Sequence, residues 1–135
     1  MKILLAEDDP AMRRLVSETL RGAGHVVEEV VDGGRLLVAL TRALRADAEH
    51  ASIDLVLTDI RMPVVTGLSL AATFRSARRR IPIVLMTAFP DDAVRREAGA
   101  LGLPLLEKPF DGESLLRVVE QAFDGARERE RSGRA

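Results

Sequence analysis

The feature that most restricts what this chain can fold into is a regular alternation of short apolar runs with longer stretches of helical periodicity. The runs are Ile3–Ala6, Val26–Val31, Leu55–Thr58, Ile83–Met86 and Pro104–Leu106. Most are apolar at consecutive positions, the pattern of strands covered on both faces. After the first run, Met12, Leu15, Val16, Thr19, Leu20 and Ala23 recur three and four apart, which makes one stripe of a helix. Asp9-Pro10 opens that helix, with Asp as N-cap and Pro at the first helical position. Gly22-Ala23-Gly24 closes it as a C-cap signal. Further helices are expected over Arg35–Asp47, Leu68–Ala77 and Asp91–Leu101. A last one starts from Asp111 and carries Leu115, Leu116, Val119, Ala122 and Phe123.

Strict alternation of strand and helix predicts a parallel sheet with helices on both faces, and right-handed crossovers leave few topologies. The expected fold is α/β, a doubly wound five-stranded parallel sheet of order 2-1-3-4-5, flavodoxin-like. A chain of 135 residues makes one domain, expected over residues 1–124. Residues 125–135 are charged and have no apolar stripe, so they are expected as a frayed helix end or flexible tail.

A formal net charge of −1 argues against nucleic acid as the main partner. The basic cluster Arg75, Arg78, Arg79 and Arg80 has no interleaved aromatics and reads as a solvated helix end. The chain has no cysteine, which excludes disulfides and thiolate metal sites and fits a reducing compartment. His25 and His50 lack metal-ligand spacing. The apolar start is too short for a secretory signal, and no stretch has transmembrane length. A cytoplasmic domain without a membrane partner is expected.

The residues able to carry chemistry fall at one place. Glu7 and Asp8 follow the first strand, Asp59 the third, Thr87 the fourth and Lys108 the fifth. All lie at carboxyl ends of parallel strands, the edge where open α/β sheets bind ligands. Strands one and three flank the topological switch point, so Glu7, Asp8 and Asp59 should be neighbours. Three carboxylates together repel unless a cation joins them, and an all-oxygen set suits Mg²⁺ better than Zn²⁺. With Lys108 opposite and a hydroxyl at Thr87, one carboxylate is surrounded by groups that stabilise a phosphoryl group in transfer. That carboxylate can itself be the nucleophile, forming an acyl phosphate.

With these residues in place, the sequence resembles the response-regulator receiver family of two-component signalling. The resemblance rests on four stretches: Ile3-Leu4-Leu5-Ala6-Glu7-Asp8-Asp9 with Met12-Arg13-Arg14; Asp54 to Pro63 with Gly67; Ile81 to Ala88; and Lys108-Pro109-Phe110. It implies that Asp59 accepts a phosphoryl group from a phosphohistidine on a sensor histidine kinase or histidine phosphotransfer protein. Asp8 would bind Mg²⁺ directly and Glu7 through water, with Asp59 and the backbone carbonyl of Arg61 completing the set; Mn²⁺ can substitute. Thr87 and Lys108 would contact phosphoryl oxygens, and the Lys108–Pro109 peptide would be cis. The protein would be a signalling phosphoacceptor, catalysing only its own phosphotransfer and slow autodephosphorylation. Its output would pass to a separate downstream protein or through a homodimer.

The chain departs from the family pattern in four places. Leu105 stands three residues before Lys108, where an aromatic switch partner of Thr87 is usual, so the output device is altered while the phosphorylation chemistry is kept. The segment Arg35–Ser52 is longer than usual by about seven residues, two helical turns. Arg61 and Phe89 sit where phosphoryl lifetime is tuned, and bulky Phe89 is expected to hinder an attacking water. No DNA-binding output domain is expected within these residues. A phosphohydrolase of the haloacid-dehalogenase type is disfavoured because its general-acid Asp would fall at Arg61. The remaining alternative is a degenerate receiver, a phosphorylation-independent binding module, for which Leu105 is the one supporting feature.

Overall fold

The five apolar runs become the strands β1 (Lys2–Ala6), β2 (Val26–Val30), β3 (Leu55–Asp59), β4 (Ile83–Thr87) and β5 (Leu105–Glu107). All pair in parallel, in the order β2-β1-β3-β4-β5, as the alternation predicts. The structure, a computed structural model, describes residues 1–45, 53–60 and 81–133. The helices among the described residues are α1 (Pro10–Gly22), α2 (Gly33–Arg45), α3 (Asp92–Leu101) and α4 (Gly112–Gly133). The helix expected over Leu68–Ala77 lies outside the described residues.

Successive side chains of the central strands enter opposite cores. Leu4, Ala6, Val56 and Leu85 meet Leu36 and Leu40 of α2 and Ala98 of α3. Ile3, Leu5, Leu57 and Met86 meet Val16 and Leu20 of α1 and Leu115 and Val119 of α4. Each such Leu or Ile, once buried, stabilises the fold by about 1.5–3 kcal/mol. Burial on both sides is why the strands read as unbroken apolar runs.

The caps behave as their residue types require. Asp9 accepts a hydrogen bond from Ala11 N at 3.1 Å, Asp91 from Val94 N at 2.8 Å, and Asp111 from Ser114 N at 2.7 Å. These bonds satisfy first-turn amides that have no partner within the helix. The Asp111 carboxyl is held below its ordinary value by its hydrogen bonds with Ser114. Gly102 ends α3 with φ of 68°, a left-handed conformation that glycine adopts without a Cβ penalty.

Boundaries differ from the sequence reading in a few places. The helix α2 starts at Gly33, before Arg35, because Asp32 Oδ1 accepts from Arg35 N at 2.7 Å and the cap offsets two glycines. The strands β3 and β4 each run one residue further, into Asp59 and Thr87, and β5 lies one residue later than expected. Polar side chains at these ends do not prevent backbone pairing, and Asp59 is registered with Met86 and Thr87 with Glu107. Pro104 precedes β5 but still accepts from Leu85 N at 2.9 Å. The charged segment after Phe123, expected as a frayed end or tail, continues α4 to Gly133. Its alanine, arginine and glutamate residues are strong helix formers, and the Arg127 guanidinium lies 5.6 Å from the Phe123 ring centroid.

Candidate functional site

At the carboxyl edge of the sheet, β1 delivers Glu7 and Asp8, β3 ends in Asp59, β4 in Thr87, and β5 leads into Lys108. Because β1 and β3 are adjacent, the first three acids converge. One carboxylate oxygen from each of Glu7, Asp8 and Asp59 lies within 4.8 Å of the others. Lys108 joins them from across β4: its Nζ donates to Asp59 Oδ2 at 2.8 Å and also to Glu7 Oε1. The Lys108 backbone N–H donates to the Thr87 carbonyl at 2.7 Å, which ties the lysine to the end of β4. The Lys108–Pro109 peptide is cis, as the resemblance implied.

The electrostatics follow from depth. Glu7 is fully buried, whereas Asp8 is exposed and the Asp59 side chain is 12 % exposed. Burial pushes the Glu7 carboxyl up from 4.5 to about 7; the Lys108 hydrogen bond opposes this, and the adjacent Asp59 carboxylate adds to it. Burial alone would lower the Lys108 ammonium, but hydrogen bonds and charge from Asp59 and Glu7 outweigh it and hold the group above its ordinary value. One lysine therefore faces two carboxylates. Glu7 Oε2 is buried with no hydrogen-bond partner among the described residues. A buried carboxylate oxygen left unpaired, beside two further carboxylates, is a donor set that fits a hard divalent cation.

Thr87 is fully buried, and its Oγ1 accepts from Phe89 N at 3.1 Å, leaving the hydroxyl hydrogen to donate elsewhere. Phe89 itself, two residues beyond Thr87, is 62 % exposed. Leu105 is half-buried on β5 and packs against the core shared by α2 and α3. Arg61, expected to offer a backbone carbonyl, lies outside the described residues. The sequence reading assigned no role to Arg13, although its guanidinium reaches the Glu7 backbone at 3.0 Å. The available signal was its place six residues after Glu7, on the first turn of a helix that starts at the acidic corner.

A doubly wound sheet of this strand order, with an acidic corner and a lysine on its carboxyl edge, defines the receiver fold. The chain belongs to the response regulator receiver domain family, whose model matches residues 3–120. Among curated relatives, the transcriptional regulatory protein PdtaR of Mycobacterium tuberculosis is 34% identical over 128 residues, covering 94% of this chain. This chain spans 58% of that relative's length. Among solved structures, the chemotaxis response regulator CheY4 of Vibrio cholerae is 31% identical with a TM-score of 0.71, over 90% of this chain and 97% of that one. The receiver domain of a sensor histidine kinase from Pseudomonas aeruginosa is 31% identical with a TM-score of 0.73, over 91% and 97% of the two chains. That structure has a magnesium ion coordinated in its active site cleft. The chain is thus a receiver domain of the two-component type, a family whose general function is phosphorylation-dependent switching. No helix among the described residues is long and apolar enough to cross a membrane.

Proposed function

We propose that this receiver takes a phosphoryl group onto Asp59 from a phosphohistidine of a sensor kinase or phosphotransfer protein, in a Mg²⁺-dependent reaction, and so changes its binding to a downstream protein. The observation that carries the reading is the shared placement of Lys108 between Asp59 and the buried Glu7. A carboxylate oxygen of Asp59 attacks phosphorus and forms the acyl phosphate. The phosphorus–nitrogen bond of the donor breaks, its electron pair goes to the imidazole nitrogen, and that nitrogen takes a proton.

The chain's own groups divide the remaining tasks. Lys108 orients the Asp59 carboxylate before transfer and offers its ammonium to a phosphoryl oxygen afterwards. Thr87 donates its hydroxyl hydrogen to a second phosphoryl oxygen, which pulls on the loop that carries Phe89. Glu7, Asp8 and Asp59, with the Arg61 carbonyl, would hold Mg²⁺ or Mn²⁺. When bound, the cation supplies positive charge that offsets the phosphoryl oxygens. Leu105 has no phenol to signal with, so output passes through its packing on β5, beside Leu85 of β4 and against the core shared by α2 and α3. The protein works as a phosphoacceptor and catalyses only its own phosphotransfer and slow dephosphorylation.

Incubation with Mg²⁺ and acetyl phosphate, followed by intact mass measurement, tests this reading. A gain of one phosphoryl group, mapped to Asp59 and lost when EDTA replaces Mg²⁺, is expected. No gain under either condition would identify a degenerate, phosphorylation-independent module. A second outcome concerns lifetime. Phe89 follows Thr87 by two residues, is largely exposed and offers no acceptor to a water, so Phe89→Glu should release phosphate faster by roughly tenfold, short of the ~10²-fold that a well-positioned base supplies. Phosphate release after removal of the donor reads it directly, and an unchanged rate would remove Phe89 from the account.

A further inference from the structure

The two acids of the β1–α1 corner share one peptide plane. The Glu7 carbonyl belongs to the peptide that joins Glu7 to Asp8, so whatever orients that carbonyl also sets the direction in which both side chains leave the backbone. The Glu7 N–H on the other side donates to the Val30 carbonyl at 3.2 Å and completes the β1–β2 pairing. The carbonyl accepts from Arg13 NH1 at 3.0 Å.

Arg13 is in turn anchored. Its Nε lies 3.6 Å from Glu29 Oε1 on β2, and Glu29 Oε2 lies 3.3 Å from Arg21 NH2. The same Arg21 nitrogen donates to the Val27 carbonyl at 3.1 Å. Two arginines of α1 thus grip one glutamate of the edge strand, and the first of them reaches forward to the acidic corner. Arg13 and Glu29 are only 20 % and 31 % exposed at their side chains, so solvent screens them less than a surface pair. The planar guanidinium suits this task, since its N–H groups form a rigid fork that reaches two acceptors in set directions, whereas the donors of an ammonium rotate on a flexible stem.

We infer that Arg13 is a positioning residue for the metal site: anchored by Glu29, it fixes the Glu7–Asp8 peptide so that both carboxylates face the cation. The inference rests on the Mg²⁺-site reading above. It has a sign that distinguishes it from simple electrostatics. A cation near a Mg²⁺ site repels the ion, so if charge were all that mattered, removing Arg13 would tighten binding. A positioning role requires removal to weaken it, in the range by which outer hydrogen-bond partners of metal ligands act, about tenfold or more.

Calorimetric Mg²⁺ titrations of wild type, Arg13→Gln and Arg13→Lys, together with melting curves in EDTA, decide it. Both variants should bind Mg²⁺ more weakly, by about tenfold for Gln and less for Lys. The loss should appear in the affinity of the folded protein, whereas a merely structural role would move the melting curve alone. Equal or tighter binding by Arg13→Gln overturns the inference. Where Arg13→Gln does not fold, Arg13→Lys decides alone, and wild-type affinity in that variant overturns it. A wild-type protein that takes up no Mg²⁺ overturns the metal-site reading and this inference with it. A wild type that binds, with unchanged variants, overturns only the role of Arg13.

Discussion

Asp59→Asn is expected to abolish phosphoryl uptake from acetyl phosphate and, in EDTA at pH 8, to unfold at a higher denaturant concentration than wild type. The loss of uptake follows from chemistry, because an amide oxygen is too weak a nucleophile to form the acyl phosphate. The gain in stability follows from the crowding of charge. Asp59 raises the Glu7 carboxyl both through a hydrogen bond and through its charge. Replacing it with a neutral side chain of the same shape removes both contributions, so Glu7 ionises more easily in the folded state. Each unit by which Glu7 falls returns about 1.4 kcal/mol at a pH above its folded value. Lys108 keeps Glu7 as a partner, and the Asn carbonyl can still accept from Nζ at the place where Asp59 Oδ2 now does so at 2.8 Å. Urea denaturation followed by circular dichroism is the suitable measurement, as the chain has neither Trp nor Tyr. A variant less stable than wild type in the absence of metal would mean that the Lys108–Asp59 pair outweighs the repulsion.

That an inactive variant should also be the more stable one shows where the sequence was informative and where it was not. The order of strands was legible because Ile3–Ala6 and Ile83–Met86 lack alternation, and only burial on both faces explains that. The site was legible as strand ends, since Glu7, Asp8, Asp59, Thr87 and Lys108 each follow an apolar run. The unequal depths of the acids were not legible. Glu7 and Asp8 are adjacent in sequence, yet one is fully buried and the other exposed, because the Glu7 N–H still pairs with the Val30 carbonyl of β2 whereas Asp8 lies in the bend that leads to α1. The role of Arg13 was hidden for a related reason. Its partners are a backbone carbonyl and a glutamate on another strand, and neither leaves a trace in local periodicity. The glycines at the start of α2 concealed the beginning of that helix, since their low propensity is offset by the Asp32 cap.

The buried acid makes a second large effect, on how pH and metal act on stability. Glu7 titrates at about 7 in the folded protein against 4.5 ordinarily. The folded state therefore holds a proton that the unfolded state has already lost. Stability from this group is complete below pH 4.5 and is lost as pH rises through about 7, for a total of about 3 kcal/mol. His25 acts in the opposite sense, because burial lowers it from 6.5 and its neutral form is favoured in the folded protein. Lys108 is held above 10.5 and contributes no change in this window. Comparison with Glu7→Gln separates these contributions: in EDTA, wild type should lose stability relative to the variant between pH 5 and pH 8. Parallel profiles would show that Glu7 is not the group responsible. Added Mg²⁺ should act in the reverse direction. A cation and a proton compete for the same carboxylate, so Mg²⁺ affinity should climb with pH and level off above about pH 7. The stabilisation by a fixed excess of Mg²⁺ should accordingly be small at pH 5.5 and largest at pH 8. The cost of burying an ionised Glu7 beside Asp59 is thus relieved by a proton in the metal-free protein and, on the reading proposed above, by the cation when it binds.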